Sequence, residues 1–304
     1  MAAGIGAGFI QAGFELVFLG RTLAKAELSL AAAHSMAVAL AAGVLAAGEG
    51  AKTAAAPAGS VGLIDTWNDW ANVVWVIETI AEDLEIKRAL FAALDARVPA
   101  HIPIGSNSSG FPITRIAEGL ATRSRMFNAH YFMPAHLVPL VEVALGADSD
   151  AALGEAVCAL YRRAGKKPVL VKKDIPGFLA NRIQHALMRE ALALIDSGIA
   201  SPDDVDTAVR YSFGFRYAAA GPVLQKEISG WDSMARAAAE IYPSLSNTPV
   251  LADCVAGIIA AGHTGMKAAH GFKPWSDEQV KSERAAYEKR LKAAFDVLNM
   301  DSAG

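Results

Sequence analysis

A chain of 304 residues has room for two ordinary domains or one large one, and it can bury a sizeable core. It is 53% hydrophobic and 19% charged with a formal net charge of −3, a balance that excludes a disordered chain and offers no basic footprint for nucleic acid. Its two cysteines, Cys158 and Cys254, lie in apolar, helix-like surroundings, which indicates neither a disulfide framework nor a metal cluster and fits a reducing cytoplasm.

In chain order, residues 1–5 can form only a stub of strand, followed by Gly6-Ala7-Gly8 and a helical stretch at 14–19. Residues 22–48 are rich in Ala, Leu, Lys and Glu and read as helix, with Gly48 and Gly50 as stop signals. Within that helix, residues 30–47 are nearly all apolar, but His34 and Ser35 interrupt the run. The uninterrupted part is about a dozen residues, short of the roughly 18 that span a bilayer, so a buried or self-associating helix is expected and no membrane. The N-terminus also lacks the basic residues of a signal peptide. Short buried strands are expected at 61–64 and 73–77 with a short helix at 65–71 between them, then an amphipathic helix at 82–95. Strand at 102–104, helix at 112–120, strands at 126–132 and 140–144, helix at 151–164 and a last strand at 168–172 complete an alternating half. From Pro176 onward only helices are expected, at 178–197, 202–213, 222–242, 250–261 and 277–298. The charged stretch 276–292 reads as the solvated face of the last one. Alternation followed by helices alone implies an α/β domain over 1–174 and an all-helical domain over 175–304.

Residues 102–143 carry the chemistry. They hold a polar cluster (Ser106, Asn107, Ser108, Ser109), a histidine at a strand end (His130), and an acid inside an apolar run, Leu140-Val141-Glu142-Val143. A lone buried carboxylate costs several kcal/mol or stays protonated, so Glu142 needs a partner. His130 on the neighbouring strand is the economical choice, and a His–carboxylate pair is a common general base for removing a proton from an alcohol. His136 competes but falls in the connecting loop after Pro134, while His263 and His270 flank glycines in a turn-rich segment. Asn181 lies one helical turn into its segment and faces either a cleft or solvent.

Gly6-Ala7-Gly8 is similar to a dinucleotide-binding turn, in which glycines let the backbone approach a pyrophosphate at a helix N-terminus. Gln11 stands where a third glycine would, and an Ala/Gly-rich N-terminal helix explains the same residues equally well. An acid for the ribose belongs about 20 residues on; Glu27 has that spacing, within a segment that looks helical.

Five ordered segments, Ser106-Asn107-Ser108-Ser109, His130-Tyr131-Phe132-Met133-Pro134, Leu140-Val141-Glu142-Val143, Pro176-Gly177-Phe178-Leu179-Ala180-Asn181-Arg182 and Gly265-Met266-Lys267 with Gly271-Phe272, resemble the 3-hydroxyacyl-CoA dehydrogenase family over roughly residues 60–300, including its branch of gulonate dehydrogenases and lambda-crystallin. The resemblance implies an α/β fold, with a Rossmann-type doubly wound sheet that binds NAD and an all-α C-terminal domain that forms a homodimer. It implies His130 as catalytic base, Glu142 as its partner, Ser109 and Asn181 at the substrate, and Asn107, Glu82 and Lys87 along the cofactor. Departures from the family pattern are Met133 for asparagine, Gln11 for the third glycine, Glu227 for Asp, and Lys273-Pro274 before Trp275. The implied activity is hydride transfer between NAD and a small-molecule 3-hydroxyacyl-CoA substrate. A free hydroxy acid (sugar acid, carnitine-like or pyridine carboxylate) is the alternative substrate, and a non-catalytic crystallin-like dimer the alternative role.

Overall fold

The computed structural model describes residues 1–44 and 59–300; residues 45–48 of the long first expected helix lie outside the described residues. The chain divides into two compact units, Met1–Arg182 and Ile183–Gly304.

The first unit opens directly on a helix, α1 (Ala2–Gln11), where a stub of strand and a glycine turn were expected. The three glycines and β-branched Ile5 of the run Ala2-Ala3-Gly4-Ile5-Gly6-Ala7-Gly8 disfavour helix on their own. The helix gains by packing, since Ile5, Ala7, Phe9 and Ile10 are all buried. Strand β1 (Val17–Gly20) follows, then α2 (Leu23–Val44) and β2 (Ser60–Leu63), which pairs in parallel with β1. Residues 14–19, expected as helix, are thus irregular over 14–16 and strand from Val17, because α1 ends in a turn at Ala12-Gly13 that returns the chain along the sheet. The stretch 65–71 is turns without a helix. Over Leu23–Ala41, α2 is long and apolar enough to cross a membrane, with a mean hydropathy of 1.2, yet it buries an alanine stripe (Ala26, Ala33, Ala37), two of whose members share a cluster with α1.

A second sheet holds the rest: β3 (Val76–Glu78), β4 (Ile104–Ser106), β5 (Met126–Tyr131), β6 (Leu140–Leu145) and β7 (Lys167–Val171), in that spatial order. All neighbours are parallel except β5 and β6. Helix α3 (Leu84–Arg97), capped by Asp83 on the Ile86 amide, buries Lys87, Phe91 and Leu94 at helical spacing. Helix α4 (Ile113–Ile116) is a single turn, and α5 (Ala151–Arg163), capped by Asp150, packs Val157, Cys158 and Tyr161 on the sheet core. Every residue of β5 is buried, as expected for a strand covered on both faces.

Helix α6 (Ala180–Asp196) carries the chain into the second unit. There follow α7 (Pro202–Tyr211), α8 (Phe213–Tyr217), α9 (Pro222–Ser229), α10 (Trp231–Ile241), α11 (Asp253–Ala260) and α12 (Asp277–Asn299). The single helix expected over 222–242 is two, because Gly230 at φ 91° breaks it. Ser201 and Ser276 close capping boxes at the starts of α7 and α12.

Candidate active site

His130 and Glu142 are direct register partners on antiparallel β5 and β6. Such a pair projects its side chains from the same face, a few ångströms apart. Here Nδ1 of His130 lies 2.9 Å from Oε2 of Glu142, with 2% and 0% of the two residues exposed. The other ring nitrogen, Nε2, lies 3.1 Å from Oγ of Ser109, which is exposed in the loop after β4. Ser109, His130 and Glu142 therefore form one line from the surface to a buried charge.

That charge is also shared with a helix. Oε1 of Glu142 accepts the Leu179 and Ala180 amides at 2.9 and 2.7 Å, where α6 begins. Two consecutive left-handed residues, Gly177 at φ 76° and Phe178 at φ 49°, set up this approach. Phe178 holds a conformation that costs a side-chain-bearing residue about 1–3 kcal/mol; its ring is buried 5.4 Å from the His130 ring, and Phe132 stands edge-on at 4.7 Å. The aromatic walls limit the solvent reaching the imidazole. Asn181 follows on the first turn of α6, half-buried.

The loop after β4 is fixed from below. Glu78, at the end of β3, takes Nζ of Lys87 at 2.9 Å on both oxygens and the Ser106 hydroxyl at 2.6 Å. Lys87 also reaches Glu82 at 3.4 Å. Glu82 in turn accepts the Ser108 hydroxyl at 2.6 Å and the Ser109 and Gly110 amides at 3.1 and 3.0 Å. Burial would raise the Glu82 carboxyl, but hydrogen bonds from Ser108 and Gly110 and the charge of Lys87 outweigh it and hold the group below its ordinary value. Asn107 ties three strands, donating its amide to the Glu78 carbonyl at 2.9 Å and accepting the Tyr131 amide at 3.0 Å.

Lys87 and Glu82, expected along the cofactor, are thus members of a support. Lys87 is 1% exposed with its ammonium committed to two carboxylates. Glu78 is a functional support that the sequence reading missed, and Ser108 stood there only as one of a polar cluster. The signal of Glu78 was present, since an acid ending Trp75-Val76-Ile77-Glu78 raises the same question of a partner as Glu142 does.

Gly6 and Gly8 do not form a phosphate turn. Both are buried inside α1, where a Cβ at Gly6 would meet the Phe18 ring at 2.5 Å and one at Gly8 would meet the Lys166 side chain at 3.3 Å. They serve close packing. Glu27 is exposed on α2, within the helix and past the end of β1, so it does not sit at a strand end as a ribose-binding acid would.

Two family models cover nearly the whole chain: the 3-hydroxyacyl-CoA dehydrogenase NAD-binding domain over residues 1–175 and the C-terminal domain of the same family over 177–275. The chain belongs to the 3-hydroxyacyl-CoA dehydrogenase family. It is 31% identical over 248 residues, 80% of each chain, to 5-formyl-3-hydroxy-2-methylpyridine 4-carboxylate 5-dehydrogenase of Mesorhizobium japonicum. A crystal structure of a dehydrogenase of that name, described as an NAD+-dependent dismutase, superposes with a TM-score of 0.88 at 28% identity, over 98% of this chain and 95% of the other. L-carnitine dehydrogenase of Streptomyces coelicolor is 38% identical over 178 residues, which is 58% of this chain and 56% of that one. As a member of the family the chain is an NAD-dependent dehydrogenase acting on a hydroxyl group, with a Rossmann-type domain followed by a helical one.

The residues present fit the cofactor. The start of α1 leaves the Ala2, Ala3 and Gly4 amides without helical partners or a side-chain cap, which suits an anionic pyrophosphate. That start lies at the edge carrying the loop after β5, since a Cβ on Gly4 would meet Ala135 at 3.3 Å and the His136 backbone nitrogen at 3.4 Å. The same edge carries Asn107, Ser109 and His130, because β3, β4 and β5 are parallel and end there.

Proposed function

We propose that the chain oxidises the secondary alcohol of a hydroxy acid, with His130 as the general base and Glu142 as its orienting partner. The observation that carries this is the continuous line from Ser109 Oγ through both nitrogens of His130 to Glu142. Glu142 as a carboxylate only accepts, so the Nδ1 proton is drawn to it and the Nε2 lone pair is turned toward Ser109. An alcohol whose oxygen is held by the Ser109 hydroxyl would present its proton to Nε2. Glu142 then balances the imidazolium that forms, and such acid–base help is worth about 10²–10⁴ in rate. Bound NAD supplies the hydride acceptor. Asn181, at the start of α6, would contact the substrate, and Asn107 the cofactor.

For the substrate we favour a free carboxylate. The relative that matches 80% of this chain is named for a pyridine carboxylate, and the carnitine dehydrogenase for another free acid. Met133, 73% exposed three residues after the histidine, is a flexible apolar side chain where the family pattern has an amide. A 3-hydroxyacyl-CoA thioester is the second reading, supported by the match to both family models. Following NADH formation at 340 nm with free 3-hydroxy acids and with 3-hydroxybutyryl-CoA separates the two. Turnover with the thioester alone would overturn the free-acid reading. His130→Gln should lower kcat by about two orders of magnitude or more with an unchanged circular dichroism spectrum. Near-normal turnover in that variant would remove the base assignment.

A further inference from the structure

We infer that the end of β1 receives a 2′-phosphate, so that this chain binds NADP(H) at least as tightly as NAD(H); the inference rests on the cofactor reading of residues 1–175 given above. In dinucleotide-binding α/β folds the adenosine ribose is read at the end of the strand that follows the pyrophosphate-binding helix, which here is β1 after α1. A carboxylate there hydrogen-bonds a free 2′-hydroxyl and repels a phosphate, whereas a nearby arginine accommodates the phosphate.

In this chain β1 ends Val17-Phe18-Leu19-Gly20 and is followed by Arg21-Thr22. The acid is missing, and the turn forbids one: a Cβ on Gly20 would lie 2.9 Å from the Thr22 carbonyl oxygen and 3.3 Å from the Ala26 nitrogen. What stands there instead is positive. Arg21, Thr22 and Lys25 are exposed in succession around the start of α2, with Thr22 Oγ1 3.4 Å from the Lys25 amide. Among the described residues neither Arg21 nor Lys25 is paired with a carboxylate. Of the nearby acids, Glu27 is further along α2, whereas Asp65 stands on the same sheet edge, two residues past Leu63, the register partner of Gly20 on β2, without an ion pair to Arg21 or Lys25 among the described residues. A guanidinium offers a phosphate two parallel N–H donors, and a hydroxyl and an ammonium close by add to them. No carboxylate stands on the end of β1 itself to accept from a free 2′-hydroxyl.

Equilibrium titration with NADH and NADPH, read by nicotinamide fluorescence, tests this without turnover. Wild type should bind NADPH as tightly as NADH or more tightly. Arg21→Ala should weaken NADPH about tenfold or more while leaving NADH within about twofold, and Lys25→Ala should act in the same direction but less. Adenosine 2′,5′-bisphosphate should displace NADPH better than adenosine 5′-monophosphate does, and Arg21→Ala should erase that difference. NADH binding with NADPH tenfold or more weaker in wild type would overturn the inference alone. So would an equal loss of both cofactors in Arg21→Ala. Binding of neither cofactor would overturn it together with the cofactor reading on which it rests.

Discussion

Glu142 serves three donors with two oxygens: His130 Nδ1 on one, and the Leu179 and Ala180 amides on the other. An amide cannot replace it. Glutamine has one acceptor oxygen and an NH₂ that only donates. In Glu142→Gln, one arrangement turns the NH₂ toward the two backbone amides and leaves them unsatisfied. The other turns it toward His130, so that Nδ1 becomes the acceptor and Nε2 carries the proton it ought to receive. Either outcome should lower kcat by about 10² or more, and the first should also lower Tm, because buried unsatisfied donors cost about 1–3 kcal/mol. Steady-state kinetics and a thermal melt on one preparation check both. At this scale the acid was legible because charge inside an apolar strand demands an explanation. Glu78 posed the same demand and was passed over, since its partner Lys87 lies nine residues away across a helix start and reads as an ordinary amphipathic lysine. The left-handed Phe178 left no trace in the sequence, because a positive φ at a non-glycine residue is imposed by its surroundings.

At the scale of elements, the strands around the histidine and the helices α3 and α5 fall close to where hydrophobic periodicity placed them. The start of the chain does not. Gly-x-Gly reads alike in a phosphate turn and in a helix that must approach its neighbours closely, and only the three-dimensional contacts of Gly6 and Gly8 tell the two apart. The second of those contacts involves Lys166, just before β7. Its ammonium is buried and donates to the Ala135 and Val138 carbonyls at 2.7 and 3.0 Å, pinning the loop beside His136. Burial lowers its pKa from 10.5 to about 8. Between those values the unfolded chain binds more protons than the folded one, so this group makes stability rise with pH from about 8 to 10.5. Urea unfolding at pH 7.5 and pH 10 should therefore show wild type gaining stability relative to Lys166→Met on going to the higher pH. Parallel behaviour of the two proteins would mean that Lys166 is not a buried cation.

For the whole molecule, the change from alternating α/β segments to helices alone was plain in the sequence. What the helices of the second unit pack against was not. Among its described residues only Ala191 and Gly271 are buried, while Tyr211, Phe215, Ile228 and Val250 are each more than 70% exposed. A unit of this size that exposes so much apolar surface calls for a partner, and a second copy through the helical unit is the one expected. Sedimentation equilibrium should give about twice the 31.8 kDa of one chain; a monomer at micromolar concentration would sink that expectation. The first unit holds a division of its own. Its strands make two sheets, β1 with β2 and the five from β3 to β7, with no ladder between them among the described residues. Local opening of the β1–β2 piece therefore breaks none of the backbone pairs beneath the histidine. The end of the molecule that reads the adenosine can fluctuate while the end that moves the proton stays intact. Dinucleotide affinity and catalytic geometry then become separately tunable quantities: a substitution on β1 or α2 can change how long the cofactor stays without altering what happens once it is there.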